Sequence, residues 1–404
     1  MMIMLLKIWV LIKMIKLNEK ELSVANEIKR LKDEAGSHSP SIFTLAQKLS
    51  QLRIRVDACF LSNPYATDLF LRYFDDELLK TYKLRDFLEF YPSQNRIIAE
   101  VISQMIRVDA KNIFIGNGAI EIIQAVMHRF VRDKIIICIP TFSSYYEFAK
   151  KDTQVVFYQL DKKKDYALDL DDYIGFIKEN RPQSIVLINP NNPNGGGGFI
   201  NKMKLKRLLG ELSFVENIIL DTSFIHFAYE DDKLDLVNLE ELCKEFKNLI
   251  IIKSMSKDFG IAGIRVGYGV MNEDKVNALL ENGYLWNTSG IGEYFLRLYA
   301  RENFFAEYNE LRKDYINKTQ TFFATLAKIE QIKVYPSLAN FALIELLDGS
   351  SSEDFVAKML IKYGIYMRTC RDKIGLNGEF VRIASRKFEE NEIMIEAIKD
   401  CFRG

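Results

Sequence analysis

The sequence predicts an α/β protein: a large domain with a mostly parallel seven-stranded sheet wrapped by helices, then a smaller α+β C-terminal domain. Three observations predict it. Seven short β-branched runs alternate with helical patterns between 113 and 270. Beyond about 290, a long helical stretch leads into four strand-like runs and a closing helix. With 404 residues and 48% apolar side chains, the chain can also bury a large core.

The chain opens with MMIMLLKIWVLIKMIK, which is too short and too interrupted by lysine to span a bilayer. No small-residue cleavage site follows it. These residues read as upstream of a start at Met14, with a mild amphipathic arm as the alternative. A polar helix over 17–32, a Gly/Ser/Pro loop over Glu34–Pro40 and a helix over 42–52 complete an N-terminal segment, 1–56. The large domain, 57–290, holds strands at Ile113–Ile115, Ile135–Ile139, Val155–Tyr158, Ile185–Ile188, Ile218–Leu220, Leu249–Ile252 and Val266–Val270. Strands separated by amphipathic segments belong to a parallel sheet covered by helices. The small domain, 291–404, holds the helical stretch to 327, strands at Ile332–Tyr335, Phe341–Leu346, Ile365–Arg368 and Phe380–Ala384, and a helix over Glu389–Phe402.

Lys+Arg and Asp+Glu balance at 55 each, so no overall field favours nucleic acid or an acidic membrane. Any anion site must be built locally, and the expected partners are small molecules or a second copy of the chain. The five cysteines, Cys59, Cys138, Cys243, Cys370 and Cys401, are scattered and form no C-x-x-C, and only His38, His128 and His226 could join them. That argues against a zinc site or a disulfide framework and fits buried free thiols in a reducing cytoplasm.

Four strand-end loops carry polar residues, where an open α/β sheet binds its ligand. Gly116-Asn-Gly-Ala-Ile-Glu121 opens a helix, either as an ordinary turn or as a phosphate cradle. Asn189-Pro-Asn-Asn-Pro-Asn-Gly195 runs on through Gly198 and could simply be a rigid turn. Asp221 ends a buried strand, as a helix cap, an ion-pair partner or a functional carboxylate. Ser254-Met-Ser-Lys257-Asp-Phe-Gly-Ile-Ala-Gly-Ile-Arg265 is the most specific of the four, with a lysine and an arginine amid glycines after an apolar strand.

Together and in this order, the four loops resemble the fold type I pyridoxal-phosphate superfamily, aminotransferase class I/II, from about Asp57 to the C-terminus. The nearest branches in appearance are threonine-phosphate and serine-phosphate decarboxylases and histidinol-phosphate aminotransferases. The resemblance implies pyridoxal 5'-phosphate as cofactor. By it, Lys257 carries the cofactor covalently, Asp221 pairs with its pyridine nitrogen, and Asn192 donates to its phenolic oxygen. Ser254, Arg265 and the backbone of Gly118, Ala119 and Ile120 hold its phosphate, and Tyr145 stacks on its ring. Tyr91, in Tyr91-Pro-Ser, reaches the phosphate of a neighbouring subunit, which implies a homodimer; it could instead be a plain helix-start aromatic. The residue types make sense chemically. A protonated pyridine beside a buried carboxylate is the stronger electron sink, and only a primary amine can form the imine and then act as base or acid.

The reaction depends on which bond to Cα is activated. Arg382 matches the arginine near the end of the superfamily, and Arg386, four residues on, resembles the decarboxylase branch. So do Arg368-Thr-Cys370, the following Gly375-Leu376 and Phe224, where aminotransferases carry a tyrosine. Three arginines suit a phosphate in addition to a carboxylate, although Arg368 could equally be a surface ion-pair residue. Asn63, in Ser62-Asn63-Pro64, resembles a substrate-pocket residue, and His38 falls on a loop that is either solvated or phosphate-binding. Thr222, Ser223 and the four-glycine run depart from both branches. The reading is a cytoplasmic decarboxylase of O-phosphoserine or O-phosphothreonine, forming ethanolamine phosphate or aminopropanol phosphate. The alternatives are an aminotransferase acting on histidinol phosphate or dihydroxyacetone phosphate, and a non-catalytic cofactor-binding protein.

Overall fold

A computed structural model describes residues 17–403 apart from 198, 231, 232, 282 and 285. The opening residues read above as an upstream stretch or arm, and Gly198 of the glycine run, therefore lie outside the described residues. Two compact units are present: Leu61–Lys318 with Pro336–Asn340, and the described residues before 61 together with Thr319–Tyr335 and those from Phe341 onward.

The larger unit is built on a seven-stranded sheet. Its spatial order is Ile113–Gly116, Gly267–Val270, Leu249–Ser254, Asn217–Asp221, Ser184–Ile188, Lys134–Ile139 and Gln154–Gln159. All strands run parallel except Gly267–Val270, which is antiparallel to both neighbours. Helices packed on the faces require strands that are apolar on both sides, and Leu249–Ser254 and Asn217–Asp221 are buried at every residue. Helix Ala119–Phe130 buries Ile122, Ile123 and Val126 at helical spacing, in a cluster with Ile135, Ile219 and Ile250 of the sheet. The chain leaves each of the six strands that run parallel at the same edge of the sheet and enters Gly267–Val270 from that edge, which brings the polar loops to one rim.

The smaller unit holds a four-stranded antiparallel sheet, in the order Arg368–Thr369, Phe380–Ala384, Phe341–Leu346 and Ile332–Val334. Val56–Asp57 pairs in parallel with Ile365–Tyr366. The single strand expected over Ile365–Arg368 is thus two short ones in different sheets, because Ile365 pairs with Val56 while Arg368 pairs with Arg382. Helices Ser352–Tyr363 and Phe388–Arg403 cover a core of Phe322, Leu326, Ile344, Met359, Val381 and Ile398. Helix Glu19–Glu34 starts with a reciprocal cap in which Asn18 and Glu21 each accept the other's backbone N–H.

The helical stretch from 290 is two helices, Gly290–Tyr299 and Glu302–Leu326. The units divide at 318/319, within the second helix, whereas the sequence reading placed its boundary at 290. The reason is packing. Tyr308 of that helix stacks on Phe259 at 4.1 Å in the larger unit, while Phe322 and Leu326 join the core of the smaller one.

Candidate active site

In the larger unit, backbone hydrogen bonds fasten the strand-end loops to one another. Asn189 N–H donates to Asp221 C=O (2.9 Å), Thr222 N–H to Ile252 C=O (2.8 Å) and Ser254 N–H to Ser223 Oγ (3.2 Å). Asn191 Nδ2 donates to Pro140 C=O at 2.9 Å, which adds the loop carrying Tyr145. Asp221, Asn192, Ser254 and Lys257 therefore stand on adjoining segments although 65 positions separate the outermost two.

Asp221 is the last residue of its strand and only 4% exposed. Around its carboxylate are neutral donors: the Tyr145 hydroxyl at 2.9 Å and the Ser223 N–H at 2.8 Å. Burial pushes its pKa up, against the pull of Ser223, Tyr145 and the charge of Lys253. A buried carboxylate held this way favours a cation as neighbour. Tyr145 is fully buried and its own hydroxyl is pushed well above the usual range by burial. Its hydroxyl bond ties it to Asp221, while the resemblance assigned its ring to the cofactor's pyridine. Phe142, in the same turn, is the less buried aromatic.

Gly118 closes the turn before helix Ala119–Phe130 with φ +76°, and a Cβ there would come within 2.5 Å of the Arg265 guanidinium. Gly267 is as tight, since a Cβ would stand 2.8 Å from Ala119 N. A helix start whose first residues are Ala119 and Ile120, with no side chain at its cap and a guanidinium against it, makes an anion cradle. Arg265 itself is held by a bond from Nη1 to Ala262 C=O at 3.0 Å. Ser254 is 6% exposed and accepts the N–H of Ser256 at 3.2 Å.

Lys257 is half-buried and its C=O accepts Asn63 N–H at 2.8 Å. Asn63 is fully buried: Oδ1 caps helix Pro64–Phe74, while Nδ2 has no hydrogen-bond partner among the described residues. Asn192 is 7% exposed. An orphaned amide N–H beside Lys257, a carboxylate among neutral donors and a glycine-lined helix start beside an arginine together fit pyridoxal phosphate. Lys257 would carry it, Asp221 would meet its pyridine nitrogen, and the Gly118–Ile120 turn with Arg265 and Ser254 would meet its phosphate.

One group of this rim escaped the sequence reading. Asp258, directly after Lys257, is fully buried, with Lys253 Nζ 2.5 Å and His226 Nδ1 2.8 Å from its Oδ2. Burial would raise the Asp258 pKa, but Lys253 and His226 hold it down at about 2. Burial and Lys253 push His226 down to about 4, so at neutral pH it meets Asp258 as an uncharged donor. The signal was available: Lys253 interrupts the apolar run Leu249–Ile252. His226 is itself buried, with Nδ1 also 3.2 Å from the Tyr308 hydroxyl.

Of the remaining expected residues, Tyr91 lies in the larger unit and His38, Arg368, Arg382 and Arg386 in the smaller one. Tyr91, in the larger unit, is 80% exposed and stacks on Trp286 with centroids 4.8 Å apart. In the smaller unit, Arg368 and Arg382 are directly opposite each other on antiparallel strands and both are buried. Arg368 donates to Ser39 Oγ (2.7 Å), Ser37 C=O (2.6 Å) and Asp372 Oδ2 (2.8 Å), which straps down the loop bearing the exposed His38. Arg382 donates to Cys59 C=O at 2.8 Å and is pushed down to about 10 by burial and by Arg368. Arg386 lies past the strand end, with Nε 3.7 Å from Glu390.

Comparison with known proteins agrees with this geometry. The family described as aminotransferase class I and II matches residues 85–398. The L-serine phosphate decarboxylase of Campylobacter jejuni is 64% identical over 390 residues, covering 96% of this chain and 100% of that protein. The decarboxylase structure from Sulfurospirillum multivorans superposes with a TM-score of 0.91 at 46% identity, covering 95% of this chain and 97% of that one. The histidinol-phosphate aminotransferase from Clostridium acetobutylicum gives 0.73 at 30% identity, over 85% of this chain and 98% of that one. The four strand-end loops, the sheet order and these matches lead to one conclusion: the chain belongs to the aminotransferase class I and II family, with the fold type I architecture.

Proposed function

We propose that this chain is a pyridoxal-phosphate-dependent decarboxylase of O-phospho-L-serine, releasing CO₂ and ethanolamine phosphate. The observation that carries this reading is the buried pair Arg368 and Arg382, side by side across two strands. Like charges so placed repel; Asp372 offsets one of them, and a bound anion would offset the other. A phospho-amino acid brings two anionic groups. The relatives named L-serine phosphate decarboxylase, matched over nearly their whole lengths, support the same substrate.

When bound, the cofactor supplies the electron sink for the charge left on Cα as a bond to it breaks. The chain's own residues do the rest. Asp221, kept dry and oriented by Tyr145 and Ser223, holds a proton at the pyridine nitrogen. Arg368 and Arg382 would bind the anionic groups of the substrate. Lys257, freed by the substrate amine, delivers a proton to Cα once CO₂ has left. A proton placed at Cα leaves the product as an amine that Lys257 would displace, so no 2-oxo acid would be needed.

The assay incubates holoenzyme with phosphoserine or phosphothreonine, with and without 2-oxoglutarate, and follows CO₂ and glutamate. CO₂ from phosphoserine without any 2-oxo acid is expected. Glutamate that depends on 2-oxoglutarate, with no CO₂, would replace this reading with an aminotransferase. Borohydride treatment should fix the cofactor to Lys257 as a pyridoxyl mass adduct on that peptide, absent from Lys257→Ala.

We further infer a homodimer in the cytoplasm. Support comes from the exposed apolar residues Tyr82, Leu88, Phe90, Tyr91 and Trp286 of the larger unit, and from five buried cysteines that form no disulfide, which suit a reducing compartment.

A further inference from the structure

Next to Lys257 in the larger unit stands a group of buried ionisable side chains that the chemistry proposed above does not use. Lys253, the penultimate residue of strand Leu249–Ser254, and Asp258 are both fully buried, with Nζ 2.5 Å from Oδ2. The same Oδ2 is 2.8 Å from His226 Nδ1. Helix Glu302–Leu326 closes the group: its Tyr308 hydroxyl is 3.2 Å from His226 Nδ1, and its Arg312 donates from Nη1 to His226 C=O at 2.8 Å. Tyr268 and Tyr299 also face Asp258, and burial pushes their hydroxyls, like that of Tyr308, above the usual range.

Three consecutive residues of the Lys257 turn are each tied down. Ser256 N–H donates to Ser254 Oγ at 3.2 Å, Lys257 C=O accepts Asn63 N–H at 2.8 Å, and the Asp258 carboxylate is held by Lys253 and His226. The backbone that carries Lys257 is thereby fixed on both sides, which leaves its reach to the torsions of its own side chain. Stability alone does not call for a charged pair here. Two buried ions lose hydration that their attraction barely makes good, and apolar residues of similar volume would serve the core as well or better. The charge of Lys253 also acts on Asp221, whose strand pairs with that of Lys253, Asp221 lying opposite Ile252. One cation thus serves two carboxylates, the one assigned to the pyridine nitrogen and the one beside Lys257.

We propose that Lys253 is a positioning residue of the active site: its ion pair with Asp258, braced by His226, fixes the turn that presents Lys257, and its charge steadies Asp221. This role rests on Lys257 and Asp221 meeting the cofactor, as proposed above. His226 is the reserve cation of the group. While Lys253 is present, burial and that neighbouring charge hold His226 down at about 4. Without Lys253, His226 would face an otherwise unpaired carboxylate and take up its proton at a higher pH.

The test compares holoenzyme of wild type, Lys253→Met and the double variant Lys253→Met/Asp258→Asn by thermal melting, by pH titration of the cofactor's visible absorbance, and by kcat and KM for phosphoserine. Lys253→Met strands a buried carboxylate, so it should melt lower than wild type and lose about tenfold to a hundredfold in kcat, with KM within about threefold. Measured against wild type at the same pH, that deficit should be smaller at about pH 5.5 than at about pH 8, because a protonated His226 replaces the lost cation. Adding His226→Gln to Lys253→Met should abolish this recovery. The double variant leaves no charge unpaired, so its melting temperature should return close to that of wild type, while kcat stays down about tenfold or more and the absorbance titration stays displaced. A double variant with the kcat and titration of wild type would reduce the pair to a structural one and overturn the proposal. A Lys253→Met deficit equal at both pH values would overturn the part given to His226. If borohydride leaves no pyridoxyl adduct on Lys257 of wild type, the cofactor assignment fails and the positioning role with it. An adduct there, with a displaced titration in the double variant, supports the role even where phosphoserine gives no CO₂, and then the reaction assignment alone fails.

Discussion

Tyr145 and His226 show how single side chains act on a buried carboxylate, Asp221 for the first and Asp258 for the second. Tyr145→Phe keeps the buried ring and removes one donor from Asp221. Without it the carboxylate is less stable, its pKa climbs further, and it holds the pyridine proton less firmly. A hydrogen bond to a charged group is worth roughly 1.5–3 kcal/mol, so kcat on phosphoserine should fall about tenfold or more. The cofactor's visible absorbance should also titrate at a shifted pH; unchanged kcat and unchanged titration would count against this role. His226 governs a different quantity. Its folded pKa, about 4, lies below the ordinary 6.5, so the unfolded chain takes up a proton that the folded chain refuses. This contribution to stability is present above about pH 6.5 and is lost as pH falls toward 4, amounting to roughly 3 kcal/mol over the full window. Asp258, depressed to about 2 from 3.8, loses its contribution only below that window. Thermal melts of His226→Gln should therefore show a shallower decline between pH 6.5 and 4 than wild type.

Among the elements, the turn into helix Ala119–Phe130 has the least tolerance. Gly118→Ala would place a Cβ 2.5 Å from the Arg265 guanidinium at a backbone φ of +76°. Left-handed backbone costs a non-glycine residue about 1–2 kcal/mol even without the clash. Moving Arg265 away would also open the anion cradle, so cofactor affinity should drop about tenfold or more on dialysis while the far-ultraviolet spectrum stays unchanged. Retention of cofactor equal to wild type would show that this turn does not hold the phosphate. The paired strands Arg368–Thr369 and Phe380–Ala384 use the opposite principle, placing two like charges in register within a buried sheet. Here a stable element carries a destabilising pair, whose cost the proposed substrate anions would offset.

For the whole molecule, the exposed aromatics of the larger unit argue for assembly. Tyr91 is 80% exposed and braced by Trp286, a placement that suits reaching into a second copy. The active form should sediment as a dimer. Mixing inactive Lys257→Ala with disabled Tyr91→Phe subunits should restore part of the activity, because one site in each mixed dimer then has both residues intact. Full activity from a species shown to be a monomer would refute shared sites.

The parallel sheet and its ligand-binding rim were legible along the chain because they follow from local pattern: β-branched runs buried on both faces, separated by amphipathic helices, with polar loops at the strand ends. Lys257 and Arg265 stood out amid glycines after an apolar strand, whereas Asp221 was assigned a role only through the resemblance of the four loops together. Other features required the folded chain. The Tyr145 hydroxyl meets a carboxylate 76 positions away, and Lys373 and Lys32 meet one Asp372 from opposite ends of the sequence. The register that sets Arg368 against Arg382 depends on strand pairing, which local propensity does not specify. The division of the chain within helix Glu302–Leu326 likewise followed the two cores its ends enter, since an unbroken helix carries no local mark of a boundary. Periodicity reports which face of an element is buried; only packing reports what that face meets.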